Sequence, residues 1–330
     1  MSESRAILVT GGAGYIGAHC CKALSEAGHI PVSFDNLSTG HRDFVKWGPL
    51  VVGDVCDTQR VADAIVTHEV AAVMHFAAFS QVGESVGDPQ KYYLNNLCGT
   101  LSLFKAMLEH GCTRLVFSST GAVYGDAGCD PIAEGAAGAT VNPYGTSKWM
   151  IERILGDYRS AYRLNSFCLR YFNACGADPS GTIGEFRDPE THLIPRAMMA
   201  LQGHVGDFAI FGDDFDTPDG TAIRDYIHVA DLAAAHVLAL HALLNGAPGG
   251  SYNLGTGSGH SVRQVLTVIE RETGLRMPLV TKARRAGDPP ILVADPSAAR
   301  LELGFVPTCS DIATIVKSAW AWHRSAHPKR

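Results

Sequence analysis

Tyr144 and Lys148 stand four residues apart in the run Asn142-Pro143-Tyr144-Gly145-Thr146-Ser147-Lys148. Pro143 suits the first turn of a helix, which puts the phenol and the ammonium at i and i+4 on one face. A tyrosine with its ordinary pKa of about 10 is a poor base at neutral pH. A cation about 5 Å away, at an effective dielectric of about 20, is worth roughly 3 kcal/mol, or about two pKa units. Burial opposes this by disfavouring the phenolate. Lys148 alone is therefore marginal, and a second positive charge would make Tyr144 an effective base toward an alcohol. Upstream, Leu115-Val116-Phe117 runs into Ser118-Ser119-Thr120. Hydroxyls at the carboxyl end of a parallel strand face the ligand crevice, so Thr120 is placed to bond a reacting oxygen and relay its proton to Tyr144. Each feature also has an ordinary reading: Tyr and Lys on any helix surface, and a hydroxyl that caps a turn.

The elements that must position these groups begin at the N-terminus. Ile7-Leu8-Val9 is a short apolar run of the kind buried in a parallel sheet. Gly11-Gly12-Ala13-Gly14-Tyr15-Ile16-Gly17 follows it. Such glycines let the backbone crowd a pyrophosphate at a helix N-terminus, where unpaired N–H groups and the helix dipole favour anions. Residues 18–27 read as a helix ending at Gly28, and Ile30 to Phe34 as the next strand. Asp35 closes that strand eighteen residues after Gly17. A carboxylate there accepts hydrogen bonds from a ribose diol and repels a 2′-phosphate, which favours NAD over NADP. An oxidised nicotinamide carries the second positive charge that Tyr144 needs.

Apolar runs at 49–53, 70–76, 113–118 and 166–171 alternate with helical stretches near 57–67, 89–109 and 143–163. This predicts an α/β fold, a Rossmann-type doubly wound parallel sheet with helices on both faces. Segments 173–190 and 212–220 are rich in Gly, Pro, Asp and Asn and read as functional loops. Later elements (228–244, 251–254, 261–272, 310–323) are shorter and more mixed. Residues 1–172 are expected to form mainly the NAD-binding domain. Residues 173–330 are expected to form mainly a smaller mixed α/β substrate-binding lobe, with the chain crossing back near 205–250 and ligands in the cleft between.

Composition narrows the classes of partner. A formal charge of −6 with no long Lys/Arg run argues against nucleic acid. No apolar stretch is long enough for a bilayer, and a strand beginning near residue 5 leaves no room for a signal peptide. Nine cysteines, an odd number with no C-x-x-C spacing, read as free thiols in a reducing cytosol, so a cytoplasmic location is expected. The 14 histidines are scattered; they read as surface or satisfied core residues, and no metal site is expected. The terminal His327-Pro328-Lys329-Arg330 reads as a frayed tail.

Several further runs accompany the glycine turn and the Tyr144 to Lys148 segment. They are Asp35-Asn36-Leu37-Ser38, Gly53-Asp54-Val55, His75-Phe76-Ala77-Ala78, Val82-Gly83-Glu84-Ser85 and Leu169-Arg170-Tyr171-Phe172-Asn173. The segment from Asp219 to His228 and Arg285-Ala286-Gly287-Asp288 complete the set. From Gly11 to about residue 323 the chain resembles the UDP-glucose 4-epimerase family of extended short-chain dehydrogenases/reductases. The resemblance implies an NAD site in which Gly11, Gly14 and Gly17 form the turn and Tyr15 and Ile16 lie against the pyrophosphate. Asp35, Asn36, Leu37, Ser38, Thr39 and Gly40 would surround the adenosine ribose, and Asp54 and Val55 would reach the adenine. Phe76, Ala77, Ala78, Ser80, Asn95, Lys148 and Phe172 would complete that site together with Thr120 and Tyr144. For a UDP-sugar, Asn173, His192 and Leu193 would meet the diphosphate and neighbouring groups, and Ala209, Ile210 and Phe211 the uracil. Arg224, Arg285 and Asp288 would hold diphosphate and ribose, with Tyr226 counted among the substrate residues. Two arginines offer permanently charged planar forks for a diphosphate, although Arg284 beside Arg285 leaves open which of the two turns inward.

The implied reaction inverts C4 of a UDP-hexose through a 4-keto sugar, with Tyr144 as base and Thr120 assisting. The family's dehydratases carry an Asp-Glu pair or a Glu just after the catalytic threonine. Here those positions are Gly121 and Ala122, which transfer no protons. A protein that only senses NAD would have no use for Tyr144 and Lys148. Ser80 stands where some members carry a lysine, Thr120 where many carry serine and His192 where some have asparagine. Leu292 aligns with the position that admits or excludes an N-acetyl group, which leans toward unacetylated hexoses and leaves UDP-xylose/UDP-arabinose and UDP-N-acetylhexosamines as alternatives. The resemblance also implies a homodimer through the helices near 89–109 and 143–163.

Overall fold

Ile7 and Val9 face one side of the first strand and Leu8 the other, and this period of two sets the layers of the molecule. The computed structural model describes residues 4–127, 131–285 and 288–326. In chain order its strands are β1 (Ala6–Thr10), β2 (Ile30–Asp35), β3 (Leu50–Val52), β4 (Ala72–His75), β5 (Arg114–Thr120), β6 (Asn165–Tyr171), β7 (Asn173–Cys175), β8 (Phe208–Phe211), β9 (Ile223–Arg224), β10 (Tyr226–His228), β11 (Gly249–Leu254), β12 (His260–Ser261), β13 (Leu279–Lys282) and β14 (Ile291–Leu292). Its helices are α1 (Tyr15–Glu26), α2 (Thr58–Thr67), α3 (Val82–Gly87), α4 (Pro89–Tyr92), α5 (Gly99–Glu109), α6 (Pro143–Tyr162), α7 (Leu193–Leu201), α8 (Val229–Leu244), α9 (Val262–Thr273), α10 (Ser297–Glu302) and α11 (Ile312–Ala326).

Seven strands form one parallel sheet in the order β11-β6-β5-β4-β1-β2-β3. Chain order reverses between β1 and β4, so the ligand crevice lies outside the carboxyl ends of the strands beside that switch. On one face, Cys20, Cys21 and Leu24 of α1 and Leu232, Ala239 and Leu240 of α8 pack on Ile7, Val9 and Met74. On the other, Val61 and Ile65 of α2, Leu103 and Phe104 of α5 and Ile151 of α6 pack on Leu8, Val73 and Phe117. Each fully buried Leu, Ile or Phe contributes about 1.5–3 kcal/mol. The expected α/β doubly wound sheet is what the chain builds.

The smaller lobe is built from short sheets, β10-β7, β12-β9-β14 and β13-β8, over a core that includes Ile194, Met198, Phe208, Ile210, Val265 and Ile315. After β10 the chain returns through α8 to β11, which pairs with β6 at the edge of the large sheet.

Some boundaries differ from the sequence reading. The helix expected over 18–27 starts at Tyr15, because Gly14 already serves as its N-cap in an extended conformation. The stretch 89–109 is not one continuous α-helix: α4 passes into a π-helical segment, Tyr93–Cys98, before α5. The terminal residues 327–330, and Ala286 and Gly287 of the Arg285 to Asp288 run, lie outside the described residues. Among the described residues, Cys20, Cys21, Cys56, Cys98, Cys112, Cys168, Cys175 and Cys309 are free, and no helix is long and apolar enough to cross a membrane.

Candidate active site

The glycine turn closes on itself at the end of β1. Gly11 has φ +73, and a Cβ there would lie 2.8 Å from the backbone nitrogen of Ala77. A Cβ at Gly17 would lie 2.1 Å from the carbonyl oxygen of Gly11. Gly14, Tyr15, Ile16 and Gly17 thus open α1, whose first N–H groups have no intrahelical acceptor. The phenol of Tyr15 donates to Gly176 O at 2.7 Å and ties α1 to the second lobe. At the end of β2 the buried Asp35 carboxylate accepts from Ala13 N at 3.0 Å and Leu37 N at 2.8 Å. Burial pushes its pKa up, while those two N–H donors and His41 pull it down. Leu37 holds a left-handed φ of 59. A Cβ at Gly40 would meet Asp35 Oδ1 at 2.8 Å, and Thr39 beside it is exposed. Asn36 accepts from Ser38 N and donates to Asp54 Oδ2 at 2.9 Å, which joins the end of β2 to the loop after β3. The Val55 side chain is buried in the core beneath α5. A helix start with free N–H groups, a cradle with no room for Cβ atoms and an acid at the next strand end fit a dinucleotide bearing an unphosphorylated ribose.

After β4, Phe76, Ala77, Ala78 and Ser80 line the crevice half-buried. His75 anchors this stretch: Nδ1 meets Thr10 Oγ1 at 2.6 Å and Nε2 meets Thr100 Oγ1 at 2.8 Å. Thr100 donates to Asn96 O, so its oxygen accepts from Nε2–H and the Thr10 hydroxyl donates to Nδ1. Burial and the charge of Lys148 bring the ring down to about 3, and His75 stays neutral. Other core histidines depart from the satisfied state expected of them. His19 and His236 each keep Nε2 without a hydrogen-bond partner, and burial brings each down to about 4. Asn95, on the π-helical segment, donates to Asn96 Oδ1 at 2.9 Å. Asn96 in turn donates to Phe79 O and to Ser147 Oγ. Phe172 closes over the turn after β5, where a Cβ on Gly121 would lie 3.0 Å from its ring.

Thr120 ends β5 and caps the following turn, accepting from Ala122 N at 3.1 Å, and its hydroxyl also acts on the Tyr144 phenol. The cap and the reactive-site contact therefore coexist on one hydroxyl. Asn142 caps α6 by accepting from Gly145 N at 2.8 Å, and Pro143 opens the helix as expected. The charge balance around Tyr144 differs from the sequence reading. Burial pushes the phenol above its ordinary value, and the Thr120 hydroxyl and the Arg187 guanidinium pull it back. Lys148 lies one turn further along α6. Its Nζ donates to Ser118 O at 2.8 Å and sits 4.8 Å from the centroid of the Phe117 ring. Burial brings Lys148 down to about 7 against the pull of Glu152, so its charge weakens near neutrality.

On the second lobe, Asn173 of β7 pairs in register with Tyr226 of β10, and Tyr226 itself is buried in the lobe's core. His192 caps α7, which begins at Leu193. Ala209, Ile210 and Phe211 lie on β8, and the Arg285 guanidinium stands over the Phe211 ring at 4.1 Å. Arg284 instead donates to Asp214 Oδ1 at 2.5 Å, so Arg285 is the member of the pair turned toward β8. Arg224 is ion-paired with Asp288 and lies in register with Leu292.

Sequence reasoning missed the charged residues that join the lobes. Glu185 Oε1 takes His192 Nδ1 at 2.6 Å and Arg187 Nε at 3.1 Å, while Arg187 Nη1 donates to Ser80 Oγ at 3.1 Å. Burial acts to raise Glu185, but His192 and Arg187 outweigh it and hold the carboxyl below its usual range. Glu190 accepts from Thr191 N and His192 N, and burial together with Glu185 pushes it up to about 7. One ligand atom from each of Glu185, Glu190 and His192 lies within 4.8 Å of the others, close enough to hold a cation; Arg187 brings positive charge to the same place. The signal in the sequence was the density of charge inside a segment otherwise rich in Gly, Asp and Pro.

The model of the NAD dependent epimerase/dehydratase family matches residues 7–255. The chain belongs to that family. It is 49% identical over 321 residues to a UDP-glucose 4-epimerase of Rhizobium meliloti (strain 1021), covering 97% of this chain and 98% of the relative. A crystal structure of UDP-glucose 4-epimerase from Brucella ovis in complex with NAD superposes with a TM-score of 0.94 at 50% identity, covering 96% of this chain and 98% of that one. The UDP-glucose 4-epimerase from Bifidobacterium longum in complex with NAD+ and UDP gives a TM-score of 0.92 at 37% identity over 98% of this chain and 99% of that one. Here Gly121 and Ala122 place no acid or base beside Thr120.

Proposed function

We propose that this chain interconverts UDP-glucose and UDP-galactose by inverting C4, with NAD held as a resident cofactor. The observation that carries this reading is that Thr120 at the carboxyl end of β5, Tyr144 in the first turn of α6 and the glycine turn after β1 come together at one end of the large sheet. When bound, the nicotinamide supplies a two-electron acceptor and donor for C4. Tyr144 takes the proton of the 4-hydroxyl and returns it to the alcohol of opposite configuration. Thr120 bridges the sugar oxygen and the phenol. Lys148 and Asn95 would complete the cofactor site, and Gly11, Gly14 and Gly17 would give its pyrophosphate access to the start of α1. Arg224, Arg285 and Asp288 grip the UDP together with the α7 N-terminus at His192 and Leu193, while Phe211 borders the uracil. A tight grip on UDP and a loose one on the hexose lets the 4-keto sugar present either face. With no proton-transferring side chain at 121 or 122, water is not eliminated. Leu292, half-buried beside Arg224, favours an unacetylated hexose.

Residues 1–172, with α8 and β11, serve the cofactor, and the later lobe serves the nucleotide sugar. The enzyme works as a cytoplasmic homodimer. Leu94 is 53% exposed on the π-helical segment, and Met150 and Tyr162 are 39% and 54% exposed on α6. These two elements pack side by side, and such side chains suit burial against a second copy. The reading is tested by incubating the purified protein with UDP-galactose and no added NAD. UDP-glucose should form until equilibrium is reached; absence of product, with and without NAD, refutes the assignment.

A further inference from the structure

Tyr144, Lys148 and Glu152 are spaced four apart and share one face of α6, which lies against β5. The first two belong to the site described above. Glu152 is buried beyond them, its side chain 3% exposed and that of its partner Arg170 5%. The Arg170 fork holds both carboxylate oxygens: Nε donates to Oε1 at 3.0 Å and Nη2 to Oε2 at 2.6 Å. The Ser119 hydroxyl donates to the same Oε1. One turn back along the helix, Lys148 Nζ donates to Ser118 O at 2.8 Å. Successive turns of α6 are thus bonded to successive residues of β5, and the next residue of that strand is Thr120. Arg170 lies opposite Ser119 in the β5–β6 register and sends Nη1 to Tyr124 OH at 2.9 Å and to Glu134 O at 2.8 Å. Tyr124 stacks on Phe172 with ring centroids 6.0 Å apart. The pair therefore reaches the turn that follows Thr120 as well as the helix that carries Tyr144.

Ile151 and Leu155 pack α6 on the sheet, but apolar burial is non-directional. A bidentate charged fork fixes orientation as well as distance. A buried ion pair adds little stability over well-packed apolar side chains of similar volume, so the value of this one lies in placement. We propose that Glu152, aimed by Arg170, is a positioning residue for the reaction: through Ser119 it pins α6 to the end of β5 and so sets where Tyr144 and Lys148 stand against Thr120. This rests on the epimerase reading of the same site. Glu152 and Arg170 are closed off from solvent and act through the helix and the strands they join.

The test uses the holoenzyme and three variants. Ser119→Ala cuts the bond to β5 and leaves the ion pair intact. Glu152→Leu combined with Arg170→Met removes the pair without leaving a lone buried charge, so the fold should hold. Glu152→Gln combined with Arg170→Met keeps an oxygen for Ser119. The kcat for UDP-galactose should fall about 10-fold in Ser119→Ala and about 10²-fold in the first double variant, with KM and the retention of NAD through gel filtration near the parent's. The second double variant should recover part of that loss. A crystal structure reads placement without turnover: the contact from Lys148 Nζ to Ser118 O, 2.8 Å in the parent, should open past hydrogen-bond distance in the first double variant. A kcat near the parent's in all three, kcat and KM changed together, equal loss in the two double variants, release of NAD, or an unmoved Lys148–Ser118 contact would each overturn the proposal. Should the first double variant not fold, the kcat of Ser119→Ala decides. If the parent does not interconvert the two UDP-sugars, the epimerase reading fails, while the Lys148–Ser118 distance still decides whether Glu152 positions α6.

Discussion

At the scale of single residues, the site is a set of buried charges that each depend on a neighbour. Glu190 is a carboxyl pushed up to about 7 by burial and by Glu185. A carboxyl raised in the folded state stabilises it fully below its unfolded pKa, and that contribution is lost as pH rises through about 7. Glu190→Gln removes the titration and keeps an oxygen to accept from Thr191 N and His192 N. Its melting temperature should exceed the parent's by about 2–4 °C at a pH above 7, with the advantage gone at pH 5; an equal shift at both values would show that the carboxyl does not titrate as described. Tyr144, Lys148, Thr120 and Asp35 were legible in the sequence because each sits at a fixed offset from a local signal, a proline, a strand end or a glycine turn. Arg187 was not, because its partner Ser80 is 107 residues away along the chain, and no local pattern reports such a contact.

At the scale of elements, the large sheet was readable because its strands are short apolar runs separated by helices, the pattern that parallel burial on both faces imposes. The start of α1 was misplaced by three residues. Glycines at 14 and 17 have low helix propensity, yet the close approach of Gly17 to Gly11 O demands a residue without Cβ inside the first turn. That contact yields a sharp expectation. Gly17→Ala should leave the far-ultraviolet circular dichroism near the parent's and abolish retention of NAD through gel filtration, read from absorbance of the released nucleotide. Retention equal to the parent's would mean that the turn does not cradle the pyrophosphate. The short strands of the second lobe, two to four residues each, carry too few alternations to read as strands from sequence.

At the scale of the whole molecule, the charged loop around Glu185 and Arg187 links two lobes, the first proposed to serve the cofactor and the second the nucleotide sugar. The outer faces of α6 and the π-helical segment did not read as decisively apolar in sequence, whereas the fold gathers Leu94, Met150 and Tyr162 onto neighbouring elements. Leu94→Glu combined with Met150→Glu should convert a dimer into a monomer in sedimentation equilibrium; an unchanged mass would place the interface elsewhere. The most direct measurement of the central claim is the rate at which Tyr144→Phe interconverts UDP-galactose and UDP-glucose with NAD bound. Removal of the base should slow the reaction by about 10²–10⁴-fold with cofactor retention unchanged, and a rate equal to the parent's would contradict the account.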